Sequence, residues 1–240
     1  MGLYLSRAYL IVSRLPRAGE RILLPREEVS HARARRLSPG DAVVLLDGSG
    51  AAGEGVLVRL DARGAEVEVG RIHPKARSVP EISVFVAGVR AERLAWIAEK
   101  VTELSATRLV ILRTERTQTF RAAALVLPRL ERIVREAAKQ CGGPRWPEVS
   151  GPVSLAEVLS RERASHIFLC DREGACFPSR LTAAPMALLV GPEGGWSDEE
   201  RRAAREAGAI TVAIPAGRLR TETAAVAALV LARAALGRET

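Results

Sequence analysis

The chain has 240 residues, 48% of them hydrophobic and 27% charged, a globular composition with enough chain to bury a core in one domain or two. No apolar run approaches about 18 residues, so no transmembrane helix is expected. The net charge of +8 is carried almost wholly by arginine (Lys75, Lys100 and Lys139 are the lysines), a side chain that grips phosphate bidentately and stacks on bases. GC-rich codons give the same excess without any partner. Met1-Gly2-Leu3-Tyr4 runs into Arg7 with no long apolar core, so no signal peptide is expected. Cys141, Cys170 and Cys176 are odd in number and lack metal-ligand spacing, which predicts reduced thiols, a cytoplasmic location and no bound metal. The absence of asparagine, with only two glutamines, fits a hot habitat.

The opening residues read as a small β domain. Apolar patches at Tyr9–Val12, Arg21–Leu24, Ala42–Leu46, Gly55–Leu60 and Ala65–Val69 are short, and Gly/Pro/Asp turn signals separate them. Val56, Val58 and Leu60 alternate with their neighbours as in a half-buried strand. Short strands with regular turns predict a small barrel, with one helix over Glu27–Leu37. That helix carries the basic run His31-Ala32-Arg33-Ala34-Arg35-Arg36. The run is either a solvated helix face or a patch that binds RNA phosphates. Residues 1–40 hold eight arginines; Arg7, Arg14, Arg33, Arg35 and Arg36 are the candidate RNA contacts. Tyr4 and Tyr9 are the only aromatics there, so phosphate and shape contacts are expected ahead of stacking. The stretch Ile72–Pro80 reads as a linker, dividing a domain over 1–72 from a second over 73–240.

Beyond the linker, strands and helices alternate. Ile82–Ala87, Leu109–Leu112, His166–Cys170, Met186–Val190 and Ile210–Ile214 read as strands. Helices are expected over Ala91–Leu104, from Pro128 to about Gln140, after Ser154 with Glu157, after Ser197 with Glu200, and from Thr221 onward. This pattern is an α/β domain with a mostly parallel sheet.

Two strand–loop–helix junctions stand out. Val190 leads into Gly191-Pro192-Glu193-Gly194-Gly195-Trp196-Ser197, and Ile214 into Pro215-Ala216-Gly217-Arg218-Leu219-Arg220. Glycines before a helix N-terminus let backbone N–H groups approach a ligand, and open α/β sheets bind ligands beyond their strand ends. No Gly-Lys-Ser/Thr follows either loop and the dinucleotide spacing is absent, which excludes the common phosphate cradles. Glu193 repels anions and suits a cationic or neutral ligand, such as a sulfonium cofactor bearing adenosine. A capped turn with Glu193 near the helix dipole needs no ligand at all, and spacing leaves both readings open.

Val190-Gly191-Pro192-Glu193-Gly194-Gly195-Trp196-Ser197 with Glu200 resembles the signature of the RsmE-type methyltransferases, SPOUT-class enzymes that methylate N3 of a uridine in 16S ribosomal RNA. Lys100-Val101-Thr102-Glu103-Leu104 with Glu115-Arg116, Glu136–Cys141 with Arg145–Pro147, and Leu219-Arg220-Thr221-Glu222-Thr223-Ala224 resemble three further family segments, in the family's order. The resemblance implies a PUA-like β-barrel followed by a SPOUT-type α/β domain with a trefoil knot, S-adenosyl-L-methionine as cofactor, and a homodimer in which both subunits build each site. It assigns Leu169, Val190, Gly191, Glu193, Gly194, Ile214, Leu219, Arg220 and Thr221 to the cofactor pocket. Two departures stand out. Pro215 replaces a glycine with the arginine shifted by one to Arg218, and the N-terminal histidine pattern at His31 is out of register by one.

Uridine N3 carries a proton and is a poor nucleophile until it is lost. Arg220 is the candidate to stabilise the uridine anion, or is a phosphate clamp at a helix start. Glu222 is the candidate to accept the proton or to hold Arg220. The rival readings are another SPOUT methyltransferase acting on tRNA or a ribose hydroxyl, a non-catalytic assembly factor that binds ribosomal RNA, and a small-molecule enzyme.

Overall fold

The computed structural model describes residues 7–74, 80–117 and 120–237, with the backbone alone for 120–124. Tyr4 and most of the expected linker, including Lys75, lie outside the described residues. The chain divides into two compact units, one of Met1–Ser78 with Arg135–Trp146, the other of Val79–Val134 with Pro147–Thr240. Among the described residues no helix is long and apolar enough to cross a membrane.

The first unit is built on a five-stranded sheet with a helix between its second and third strands and the end of a longer helix beside it. Strands β1 (Ala8–Ile11), β2 (Arg21–Leu23), β3 (Ala42–Leu46), β4 (Ala52–Asp61) and β5 (Gly64–His73) take the order β1-β3-β4-β5-β2, and α1 (Arg26–Ala34) lies between β2 and β3 in sequence. The β1–β3 pair is parallel and the other ladders are antiparallel. Alternation along the long β4–β5 hairpin turns Leu57, Val67 and Val69 into a core shared with Leu10, Val43, Leu45 and Val29 of α1. The expected linker begins inside β5, which includes Ile72 and His73.

Arg135–Trp146, which the sequence reading left with the second domain, packs into this unit. Lys139 is ion-paired with Glu28 of α1 (3.1 Å) and with Glu136 (2.7 Å), and the Lys139 and Glu28 side chains are only 7% and 6% exposed. Gly48, at φ +81°, lies so close to the Trp146 ring that a Cβ would sit 2.6 Å from it. Only glycine gives both the left-handed turn and the room.

The second unit is a six-stranded sheet of β6 (Ile82–Ala87), β7 (Arg108–Arg113), β8 (Glu148–Ser154), β9 (His166–Cys176), β10 (Met186–Val190) and β11 (Ile210–Ala213), ordered β11-β9-β10-β6-β7-β8 with every ladder parallel. Strands β6 and β10 are buried along their whole length, as central parallel strands covered on both faces are. Helices α2 (Ala91–Glu103) and α6 (Thr221–Ala235) pack together, with α6 on β6 and β10. Helices α4 (Leu155–Arg161) and α5 (Asp198–Glu206) contribute Leu155, Val158 and Ala204 to a core with Phe85, Leu112, Leu189 and Trp196.

Three elements differ from expectation. Strand β8 was missed because Gly151-Pro152 interrupts it; proline is tolerated there since β8 is an edge strand. Helix α3 (Phe120–Cys141) starts upstream of Pro128, which sits inside it rather than opening it. Strand β9 runs past Cys170 to Cys176, and its pairing with β11 jumps from Leu169 to Ala175, so residues 170–174 form an excursion.

Burial works against the Lys139 ammonium, but its hydrogen bonds to Glu136 and Glu28 outweigh that and hold its pKa above the ordinary lysine value. The pair therefore stabilises the fold fully below the ordinary lysine pKa and loses its contribution as the pH rises through the raised value. Lys139→Ala is expected to strand Glu28 as a buried unpaired charge and cost about 3 kcal/mol in urea unfolding at neutral pH. Combining it with Glu28→Leu should recover much of that loss.

Candidate functional site

Because the second sheet is parallel, the C-terminal ends of β6, β7, β9, β10 and β11 share one edge. The loop after β10 turns back through Gly195 N–H to Pro192 O (2.8 Å), with Gly195 at φ +70°. It then enters α5 through a reciprocal cap. Ser197 Oγ accepts from the Glu200 N–H (3.1 Å) and Glu200 Oε2 accepts from the Ser197 N–H (2.9 Å), as the Ser-x-x-Glu spacing predicts. Glu200 Oε1 also accepts from the Glu115 N–H at 3.0 Å, which ties in the loop after β7.

The glycine loop is held by its own carbonyls. Thr221 Oγ1 donates to Gly191 O (3.1 Å), Arg218 Nη2 to Glu193 O (3.1 Å) and Arg116 Nη1 to Gly194 O (2.7 Å). Buried Trp196 donates from Nε1 to Cys170 O (3.0 Å), fixing the β9 excursion against the loop. Gly174 permits that excursion, since a Cβ there would lie 2.6 Å from the Val212 backbone. The Glu193 carboxylate pairs with Arg93 of α2, whose Nε also lies 3.6 Å from Glu222 Oε1 on α6.

Between these segments opens a cleft of about 570 Å³, within the range of small-molecule sites. Val190, Gly191, Glu193, Gly194, Ile214, Leu219 and Thr221 all line it. Leu169 does not; its side chain is fully buried in the core, and the next residue, Cys170, faces the cleft instead. The sequence reading also missed Asp171, Arg172, Glu173, Trp196 and Arg201, which line the cleft. The Asp171 carboxylate is engaged by Arg201 Nε at 2.8 Å. Burial, reinforced by the Asp171 charge, pushes the Cys170 thiol up to about 12, so it stays protonated. All three cysteines are free thiols.

Arg220, the N-cap residue of α6, lies outside this lining and instead borders an adjoining recess with Glu222, Arg93, Trp96 and Arg218. One carboxylate oxygen of Glu222, Oε2, is buried and accepts no hydrogen bond among the described residues. In the first unit, Arg7 is ion-paired with Glu54 (2.6 Å) and Arg33 Nη2 donates to Asp61 O (2.6 Å). Arg14, Arg35 and Arg36 are exposed, Arg36 at φ +56° where α1 ends.

The family described as RNA methyltransferase domain matches residues 76–233, and the family described as RNA methyltransferase PUA domain matches residues 24–70. Over 230 residues the chain is 31% identical to the ribosomal RNA small subunit methyltransferase E of Mycobacterium tuberculosis, covering 91% of this chain and 88% of that protein. With the Aquifex aeolicus protein of the same name the identity is 29%, covering 88% of this chain and 93% of that one. Among solved structures, a ribosomal RNA small subunit methyltransferase E from Neisseria gonorrhoeae bound to S-adenosyl methionine superimposes with a TM-score of 0.87 at 27% identity, over 98% of this chain and all of that one. A Legionella pneumophila methyltransferase, described as putative and in complex with the bound cofactor SAM, gives a TM-score of 0.84 at 25% identity, over 95% of this chain and 98% of that one.

Glu200 joins the glycine loop to the loop after β7 through two backbone N–H groups. Glu200→Ala is expected to leave both without that acceptor and to lower unfolding free energy by about 2 kcal/mol, with Glu200→Gln, which keeps one amide oxygen, intermediate. Urea denaturation of the three proteins checks the order.

Proposed function

The chain belongs to the ribosomal RNA small subunit methyltransferase E family, and on that premise we propose that it transfers a methyl group from S-adenosyl-L-methionine to N3 of one uridine in 16S ribosomal RNA. The observation that carries the reading is the cleft at the strand ends, where the glycine loop and the loop after β11 meet through Thr221 and Arg218. Its chemistry fits the cofactor. Glu173, with Glu193 shared with Arg93, offers negative charge toward a sulfonium, while loop backbone and the apolar side chains of Val190, Ile214 and Leu219 suit an adenosine.

When bound, S-adenosylmethionine supplies an electrophilic methyl group and departs as a neutral thioether. Everything else falls to the protein, which positions two reactants and manages charge. Glu222 is the proton acceptor in this reading. Its Oε1 lies 3.6 Å from Arg93 Nε, and the residue borders the recess the base would enter, where a carboxylate oxygen accepts the N3–H of the uridine. The proton passes to Glu222 and then to solvent. Arg220, in the same recess, stabilises the anion that spreads onto the uracil oxygens. The base reaches this recess from an unpaired or flipped position.

The same reading includes a trefoil knot formed by the loops around β10 and β11, and a homodimer. Trp96 on α2 and Val230 on α6, both large apolar side chains left exposed on paired helices, are the surface a second copy would cover. The exposed arginines Arg14, Arg35 and Arg36, with Arg7 and Arg33 beside them in sequence, serve RNA phosphates, and a ribosomal RNA substrate sets the site of action in the cytoplasm.

Methyl transfer from labelled cofactor to unmodified small ribosomal subunits, followed by nucleoside mass spectrometry, tests this directly. N3-methyluridine at one site is expected; another methylated nucleoside would overturn the assignment. Arg220→Ala should lower kcat by at least about 100-fold while the cofactor Kd, read by calorimetry, moves no more than about threefold. Equal losses in both would make Arg220 a cofactor ligand instead.

A further inference from the structure

A second cleft of about 560 Å³ is lined by Pro192, Glu193 and Gly194 of the glycine loop and by the segments that follow β6 and β7. Three arginines line it: Arg90 and Arg93 from the start of α2, and Arg116 from the loop after β7. Glu193 also lines it but is paired with Arg93, so Glu115 alone opposes Arg90 and Arg116. The balance is positive. Among the described residues no aromatic side chain lines the cleft.

Arg90 is the unusual residue. It occupies the N-cap of α2 and makes no side-chain cap, where an oxygen-bearing side chain is preferred and a cation faces the positive end of the helix dipole. The N–H groups of Arg93 and Leu94 are spent on Arg90 O, while those of Ala91 and Glu92 have no acceptor among the described residues. An anion at this point would satisfy the open amides and neutralise the misplaced charge together. The cleft also adjoins both halves of the reaction. It shares Pro192, Glu193 and Gly194 with the cofactor cleft, and Arg93 with the recess of Arg220 and Glu222.

We propose that this cleft is a phosphodiester subsite that holds the RNA strand next to the target base, with Arg90 as its free cation and Arg116 beside it; the inference rests on the methyltransferase reading above. Arg93 and Arg116 are partly committed, to Glu193 and to Gly194 O, so the ligand contributes to the same network that fixes the glycine loop. A strand seated here would carry its base toward Arg220 without any base-specific contact.

Filter binding of small-subunit ribosomal RNA across a salt series tests it, with Arg90→Ala, Arg90→Lys and the full-length parent compared. Arg90 is exposed and does not line the cofactor cleft, so the variants are expected to fold and to bind cofactor as the parent does. Arg90→Ala should weaken RNA binding about tenfold and reduce the slope of log K against log salt by about 0.7 to 0.9, the loss of one phosphate contact; Arg90→Lys should keep most of both. Unchanged affinity and slope would overturn the subsite. Loss of inorganic phosphate binding with RNA affinity unchanged would assign the cleft to a free phosphate and overturn it too. A parent that binds RNA but transfers no methyl overturns the activity reading alone, because the Arg90 slope still decides the subsite.

Discussion

The loop between β10 and α5 buries Pro192, Trp196 and Ser197, and its carbonyls are held by the segments around it. Its carbonyls are taken up by Thr221, Arg218 and Arg116, and Trp196 anchors its far end to Cys170 O. Two of those donors come from the β11–α6 junction and one from the loop after β7. Each such bond is worth about 1 kcal/mol net, more where the donor is charged. Against an ordering cost of about 1–2 kcal/mol per residue, several are needed before a glycine-rich loop adopts one shape. A preformed binding surface is the result, and its backbone N–H groups need not be reorganised when a ligand enters.

Arg93 extends that constraint from shape to charge. It joins Glu193, which faces the cofactor cleft, to Glu222, which faces the recess of Arg220. Under the proposed function a positive ligand beside Glu193 would compete with Arg93 for that carboxylate and strengthen the hold of Arg93 on Glu222. On that proposal a single guanidinium would couple the two halves of the site. A lysine has one compact ammonium and would be a poor replacement at a position that must reach two carboxylates at once.

Much of this architecture is legible in the sequence because its cause is local. Continuous apolar runs mark β6 and β10, and both Ser-x-x-Glu caps form as their spacing predicts. What escapes is what depends on distant partners. Pro128 favours a helix start and is disfavoured in a helix interior, so its place inside α3 shows only in the folded chain. Asp171-Arg172-Glu173-Gly174 carries the composition of a turn, and only pairing with β11 shows that the strand resumes beyond it. Arg93 meets Glu193 across 100 residues, and Arg116 meets Gly194 across 78. No periodicity spans such separations, so the clamps on the loop are invisible until the chain is folded.

The departure at Pro215 shows how such a network absorbs change. Proline lacks an N–H and fixes φ, so the loop after β11 cannot follow the path a glycine would permit. Here the chain tightens at once, with Ala216 N–H donating to Ile214 O at 2.7 Å, and Pro215 itself is left exposed. The displaced arginine is not lost to solvent. From position 218 it reaches Glu193 O, while Ile214 and Leu219 on either side still line the cleft. This segment therefore gives the cleft two apolar walls, Ile214 and Leu219, and one cationic link to the glycine loop, Arg218. Pro215 itself does not line the cleft.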